Sequence, residues 1–218
     1  MKRNGVRRIV SVALAFLFLM NSVLLAFSAE NPNVQGEETA VARLYVCSRK
    51  KNFWAMGHAF VYLENLSDEV LTVGAYELPP EEGVSIGTFG FTRSDGFGIY
   101  YNIEAYVYNT YGDEGVICLS ADLTAEEAEH FSNCLLYSNT WDFMFFNCIA
   151  FAYRMWNSVA TPFLMPLLFP FLGRLQIRMY GGETAPRMFY PSADRVYRMR
   201  GTGKNCRLEQ VSPRSIAK

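Results

Sequence analysis

One cysteine in this chain stands where a thiol becomes a nucleophile. Cys148 follows Asn147, a side chain suited to capping a helix N-terminus, and Ala152, Met155 and Trp156 give residues 147–157 an apolar face. Unsatisfied amides and the helix dipole meet at that end, and both favour thiolate over thiol. The same amides are placed to receive a developing oxyanion. A cysteine nucleophile also needs a base, and the chain contains only two histidines. His130 falls in a helical segment with Glu126 and Glu127 one turn back, the setting of a solvated, carboxylate-paired side chain. His58 follows Gly57 at the start of a strand-like segment and shares a face with Phe60, Tyr62 and Glu64. Its plain alternative is a strand-end histidine meeting solvent. His58 is the base expected for Cys148.

A third group would hold the imidazole in its working tautomer. If residues 65–68 form a hairpin loop, Glu64 opposes Glu69 and His58 opposes Ala75, which puts Glu77 one diagonal step away on the same face. Glu77 is therefore a candidate third member, beside Cys148 and His58. Its alternative is a surface glutamate ahead of the Pro79-Pro80 turn. Glu104, on a tyrosine-rich segment, competes for the same role.

These residues need a sheet and a helix to hold them. Six strand-like runs precede any helix, at 43–48, 57–64, 69–77, 84–89, 99–108 and 116–120, with turn-forming residues at 65–68 and 79–83 and a glycine-containing loop at 92–98. That order describes an antiparallel meander. Thr124-Ala125-Glu126-Glu127 then reads as a capping box that opens a helix over 125–137, with Ala128, Phe131 and Leu135 at helical spacing. The Cys148 helix follows. Beyond it, Pro162, Pro166 and Pro170 punctuate an apolar run over 159–172, a spacing that forbids an ordinary helix there. The expected class is α+β, an antiparallel sheet packed against helices.

With 50% hydrophobic and 15% aromatic residues in 218, the chain is too apolar to be disordered. Lys2, Arg3, Arg7 and Arg8 precede a mostly apolar run from Ile9 to Phe27, which closes on Ala26-Phe27-Ser28. This is the pattern of a secretory signal peptide over 1–28, with a retained membrane anchor as its alternative. Residues 29–40 read as a flexible leader, 41–158 as the catalytic core, and 159–218 as an apolar proline-containing segment with a basic tail. The folded part is thus expected to be secreted or extracellular. Residues 29–185 carry 8 basic and 19 acidic side chains, a balance of −11, whereas 186–218 carry 8 and 2, a balance of +6. An acidic body argues against nucleic acid as the main ligand. Two histidines and no CxxC speak against a metal site, and no cofactor is expected. Export permits disulfides among Cys47, Cys118, Cys134, Cys148 and Cys206. Five is odd, so one thiol stays unpaired in a monomer. A nucleophilic Cys148 would leave any bridges to the other four, in a pairing that spacing leaves open.

Gly57-His58-Ala59-Phe60-Val61-Tyr62, followed downstream by Phe146-Asn147-Cys148-Ile149-Ala150-Phe151-Ala152, resembles the circularly permuted papain-like superfamily. Its members include the NlpC-type peptidases and the lecithin:retinol acyltransferase relatives, which place a strand histidine before the helix cysteine. Val73-Gly74, Ser85-Ile86-Gly87-Thr88 and Tyr101-Asn102-Ile103-Glu104 are similar to segments of secreted bacterial proteins of this group. The similarity spans residues 43–158. It implies a permuted papain-like fold with Cys148 as nucleophile and His58 as base. At the third position permuted relatives often carry a second histidine, and none is available here. The activity implied is a cysteine-dependent hydrolase or acyltransferase that acts on an amide or ester through an acyl-enzyme. Export favours cell-wall peptide as substrate. A lipid ester is the second version, with 159–172 and the basic segment touching a membrane surface unless the sheet buries that run. The alternative of another class is a non-catalytic extracellular binding module, for which the thirteen tyrosines, several of them in the run 99–108, would suit ligand stacking, though core packing explains them as well. Either would act as a monomer.

Overall fold

The computed structural model describes residues 39–50, 57–89, 98–111, 115–138, 147–166, 170–185, 188 and 195–212. The expected signal peptide over 1–28, most of the leader, residues 92–97 of the glycine-containing loop, and Phe146 lie outside the described residues. No described helix is long and apolar enough to cross a membrane.

The described elements are β1 (Ala42–Arg49), β2 (His58–Asn65), β3 (Leu71–Val73), β4 (Tyr76–Leu78), β5 (Gly83–Phe89), β6 (Gly98–Tyr101) and α1 (Ile103–Tyr111). After these come β7 (Ile117–Leu123), α2 (Ala125–Leu136), α3 (Cys148–Asn157), α4 (Pro170–Met179), β8 (Glu183–Thr184), β9 (Tyr197–Arg200) and β10 (Arg207–Gln210). Among the described residues, eight strands form one sheet in the order β10-β9-β6-β5-β2-β1-β7-β8, every pairing antiparallel. The class is α+β.

β1 and β2 lie at the centre of the sheet and are buried on both faces, which is why their sequences run almost continuously apolar. Leu44, Val46, Ala59, Val61 and Leu63 share one core with Ile149, Ala152, Met155 and Trp156 of α3 and Phe131 and Leu135 of α2. The alternate residues Tyr45, Cys47, Phe60 and Tyr62 form a second cluster with Val116 and Cys118. A side-chain period of two thus puts His58 on the face of Phe60 and Tyr62.

The segment 69–77 is not the strand that pairs with β2. β2 lies between β1 and β5, and 69–77 is split into β3 and β4, which pair only with each other. Gly74 is the cause. Its φ of +64° turns the chain, and a Cβ there would sit 2.4 Å from the Tyr101 hydroxyl. That hydroxyl donates to the Val73 carbonyl at 3.1 Å and seats the small hairpin. Residues 65–68 do turn, as expected: Asn65 Oδ1 accepts from the Ser67 N–H at 2.9 Å, and Asn65 Nδ2 donates to the Glu69 and Leu78 carbonyls. The chain then leaves the main sheet.

Residues 99–108 are not one strand either. β6 ends at Tyr101, Asn102 takes the left-handed conformation at φ 64°, and α1 begins at Ile103. Farther on, 161–166 is irregular as the prolines demand, but Pro170 opens α4 from its first position, where a missing N–H costs nothing. Residues 195–212 of the basic segment are not a tail. Tyr197 and Arg198 of β9 pair with Tyr101 and Tyr100, and β10 continues the sheet. The core therefore extends past residue 158.

Candidate active site

Asn147 sets the start of α3. Its Oδ1 accepts from the Ala150 N–H at 3.0 Å, and its carbonyl accepts from the Phe151 N–H at 2.9 Å. Cys148 is consequently the first helical residue, and Ile149, Ala152 and Met155 hold the helix in the core that β2 also lines. Three donors converge on the sulfur: the Ile149 N–H of the helix, the Ala59 N–H of β2, and the His58 imidazole. Burial pushes the thiol pKa up, but the His58 charge, its hydrogen bond and the two amides outweigh that and hold it below the ordinary 9.0.

His58 opens β2 and is 18% exposed, so the ring keeps one edge toward solvent. Its Nε2 lies 3.3 Å from Glu104 Oε1, which leaves Nδ1 as the nitrogen available to the thiolate. Phe60 stacks beside the ring, with centroids 6.1 Å apart and planes 17° from parallel. Burial draws the imidazole pKa down, yet the Cys148 thiolate and the Glu104 carboxylate more than offset this and raise it from 6.5 to about 9. Each group thus favours the charged form of the other: His58 stays protonated at neutral pH, and it pulls the Cys148 thiol down.

Glu104 is fully buried, in the first turn of α1, where the helix dipole favours a carboxylate. Burial raises its pKa, but the Arg49 charge and the His58 hydrogen bond overcome that and lower it below 4.5. Arg49 is itself only 5% exposed. Its guanidinium contacts Glu104 Oε2 and lies over the Phe60 ring, 5.7 Å from the centroid. It reaches the site because β1 and β2 pair Arg49 directly with His58. Arg49, Glu104 and His58 make a line of alternating charge that ends at the Cys148 sulfur.

The structure brings together Cys148 and His58, and the carboxylate beside His58 is Glu104, not Glu77. Glu77 is exposed on β4, opposite Thr72 in the separate hairpin, because the register that would have carried it to His58 does not form. His130 lies on the exposed side of α2, as expected, but its neighbour is Cys134 Sγ at 3.6 Å and not a carboxylate. Glu127 is committed to the capping box, accepting from the Thr124 N–H at 2.9 Å. Arg49 escaped the sequence reading, since the segment joining β1 to β2 carries no turn signal that sets their register. Tyr100 and Tyr101, in the tyrosine-rich run, are core residues, so core packing accounts for them.

Comparison of the chain with protein-family models, with curated proteins and with solved structures finds no match.

Proposed function

We propose that the protein is an exported cysteine-dependent hydrolase or acyltransferase that acts on an amide or ester, with the permuted papain-like order of histidine before cysteine. The observation that carries this reading is the contact of the Cys148 sulfur with the His58 imidazole at a helix N-terminus, backed by a buried carboxylate. A thiol lowered by an adjacent imidazolium is an activated nucleophile, and a raised imidazole is a proton donor at neutral pH. The thiolate attacks the carbonyl carbon, a carbon–sulfur bond forms, and the oxyanion is received by the Cys148 N–H at the start of α3. His58 passes its proton to the departing nitrogen or oxygen, leaving an acyl-enzyme. Water or another acceptor then loses a proton to His58, attacks the thioester and restores the thiolate. Glu104 keeps Nε2 protonated and Nδ1 facing the sulfur, and Arg49 keeps Glu104 ionised.

Cell-wall peptide is the favoured substrate because the protein is read as exported. A lipid ester is the second reading, and one observation favours it. Phe171, Leu175 and Met179 recur at helical spacing on the exposed side of α4, and Phe163 is exposed nearby in sequence, although Leu164 between them is buried. Arg178 adds positive charge to the same helix. The test is to incubate the protein with peptidoglycan fragments, phospholipid vesicles and activated esters, and to look by mass spectrometry for an acyl group on Cys148. An adduct formed by wild type and absent from Cys148→Ala supports the proposal. No adduct from any of the three would end it.

A further inference from the structure

Cys47 and Cys118 face each other directly across β1 and β7. Both are buried and point into the same cluster, with Tyr45, Phe60, Tyr62 and Val116. The backbone bonding tells which kind of pair they form. The Leu66 N–H donates to the Val41 carbonyl at 2.9 Å, so along the unbroken β1–β2 register the odd-numbered residues of β1 turn their N–H and C=O toward β2. Cys47 bonds there, opposite Phe60. From the other side, the Ala185 N–H donates to the Val116 carbonyl at 2.9 Å, so Cys118, two residues on, bonds toward β8. Neither cysteine uses its backbone on the other. They form a non-hydrogen-bonded pair, the position at which opposed Cα atoms lie closest, at roughly 4.5 Å. That spacing falls within the Cα range that a disulfide spans.

We infer that Cys47 and Cys118 are the site of a cross-strand disulfide that staples β1 to β7. The two thiols lose their hydrogens and an S–S bond forms between the sulfurs. Two electrons and two protons pass to an external disulfide, such as that of a thiol oxidoreductase or oxidised glutathione, which leaves as two thiols. Among the described residues no other two cysteines oppose each other across a strand pair. Cys134 lies against His130, Cys206 Sγ is directed at the Leu136 carbonyl, and Cys148 is held by His58. The bond would also anchor the strand that presents Arg49, two residues beyond Cys47, and would keep both thiols from exchanging with the nucleophile. The pairing rests on sheet register alone; its formation in the cell rests on the export reading.

The experiment is refolding of the full chain with a glutathione redox couple, alkylation of free thiols, and peptide mapping without reduction. The expected product is a linked Cys47–Cys118 peptide lighter by two hydrogens, with Cys148 alkylated. Dithiothreitol should then lower Tm by about 10 °C. A double Cys47→Ala/Cys118→Ala variant, which suits a buried apolar site, should show no such drop, whereas Cys134→Ala/Cys206→Ala should keep it. Alkylation of both Cys47 and Cys118, or linkage of either to another cysteine, would overturn the inference. Alkylation of Cys148 is scored separately, so failure of the disulfide and failure of the proposed activity are distinguishable.

Discussion

Cys148 with His58 and Cys134 with His130 are both thiol–imidazole pairs, the second at 3.6 Å across one turn of α2. Their surroundings separate them. Cys148 begins a helix, where free amide groups and the positive end of the dipole meet the sulfur; Cys134 lies in the last turn of α2, at the negative end. His58 is backed by a buried carboxylate and, behind that, a buried guanidinium. His130 is exposed on the helix surface. Proximity of sulfur and imidazole is thus a common arrangement. In the proposed reaction, what sets Cys148 apart as the nucleophile is the helix end and the low-dielectric charge line behind His58.

The largest effects should fall on one pair only. Cys148→Ala and His58→Ala should each cost about 10⁴-fold or more in acyl transfer, measured as single-turnover release of an activated ester. Cys134→Ser and His130→Ala should leave it unchanged. A comparable loss in the second pair would break the comparison.

Arg49→Met strands a buried carboxylate, and the urea-unfolding free energy should drop by about 3–5 kcal/mol. Loss of only a few tenths would mean that Glu104 is neutral in the folded state. Glu104→Gln cannot hold the imidazolium and should lower turnover by about 10²–10³, while Glu77→Gln should do nothing measurable. Asn147→Ala removes the cap of α3 and should cost about 1 kcal/mol of stability, with some loss of thiol activation.

The pH dependence sharpens the contrast further. The stability contributed by His58 is complete below pH 6.5 and is lost as pH rises through about 9. Cys148 has the opposite sign, because a lowered thiol pKa contributes above 9.0 and loses that contribution as pH falls through its folded value. Between the folded Cys148 pKa and 9.0 the two slopes oppose each other, so urea midpoints should vary less with pH there than in His58→Ala. Activity should fall above about 9, where His58 loses the proton that the leaving group needs. Glu104 adds an acid limb, since a lowered carboxyl pKa gives stability that disappears as pH drops below 4.5.

Local chemistry was legible in the residues. Asn147 before Cys148, the Thr124–Glu127 capping box and the strand-forming run 57–64 each encode their own geometry within a few positions. Register was not legible. Glu77 was chosen by assuming that consecutive strands pair, and Gly74 defeated that assumption by turning the chain back on itself. Glu104 was weighed as a strand residue, but Asn102 at positive φ converts the run into a helix start. Arg49 needed the β1–β2 register to be seen opposite His58, and no local pattern carries that. Long-range pairing decided which charge stands behind the base.

The most direct test is the rate of Cys148 alkylation by iodoacetamide as a function of pH, read by peptide mass in wild type and His58→Ala. The ion pair predicts that Cys148 is modified ahead of the other four cysteines at pH 7, with an apparent pKa well below 9.0 that returns toward 9.0 in His58→Ala. A wild-type rate that climbs about tenfold per pH unit from 7 to 9, as a free thiol's does, and is the same without His58, would contradict it.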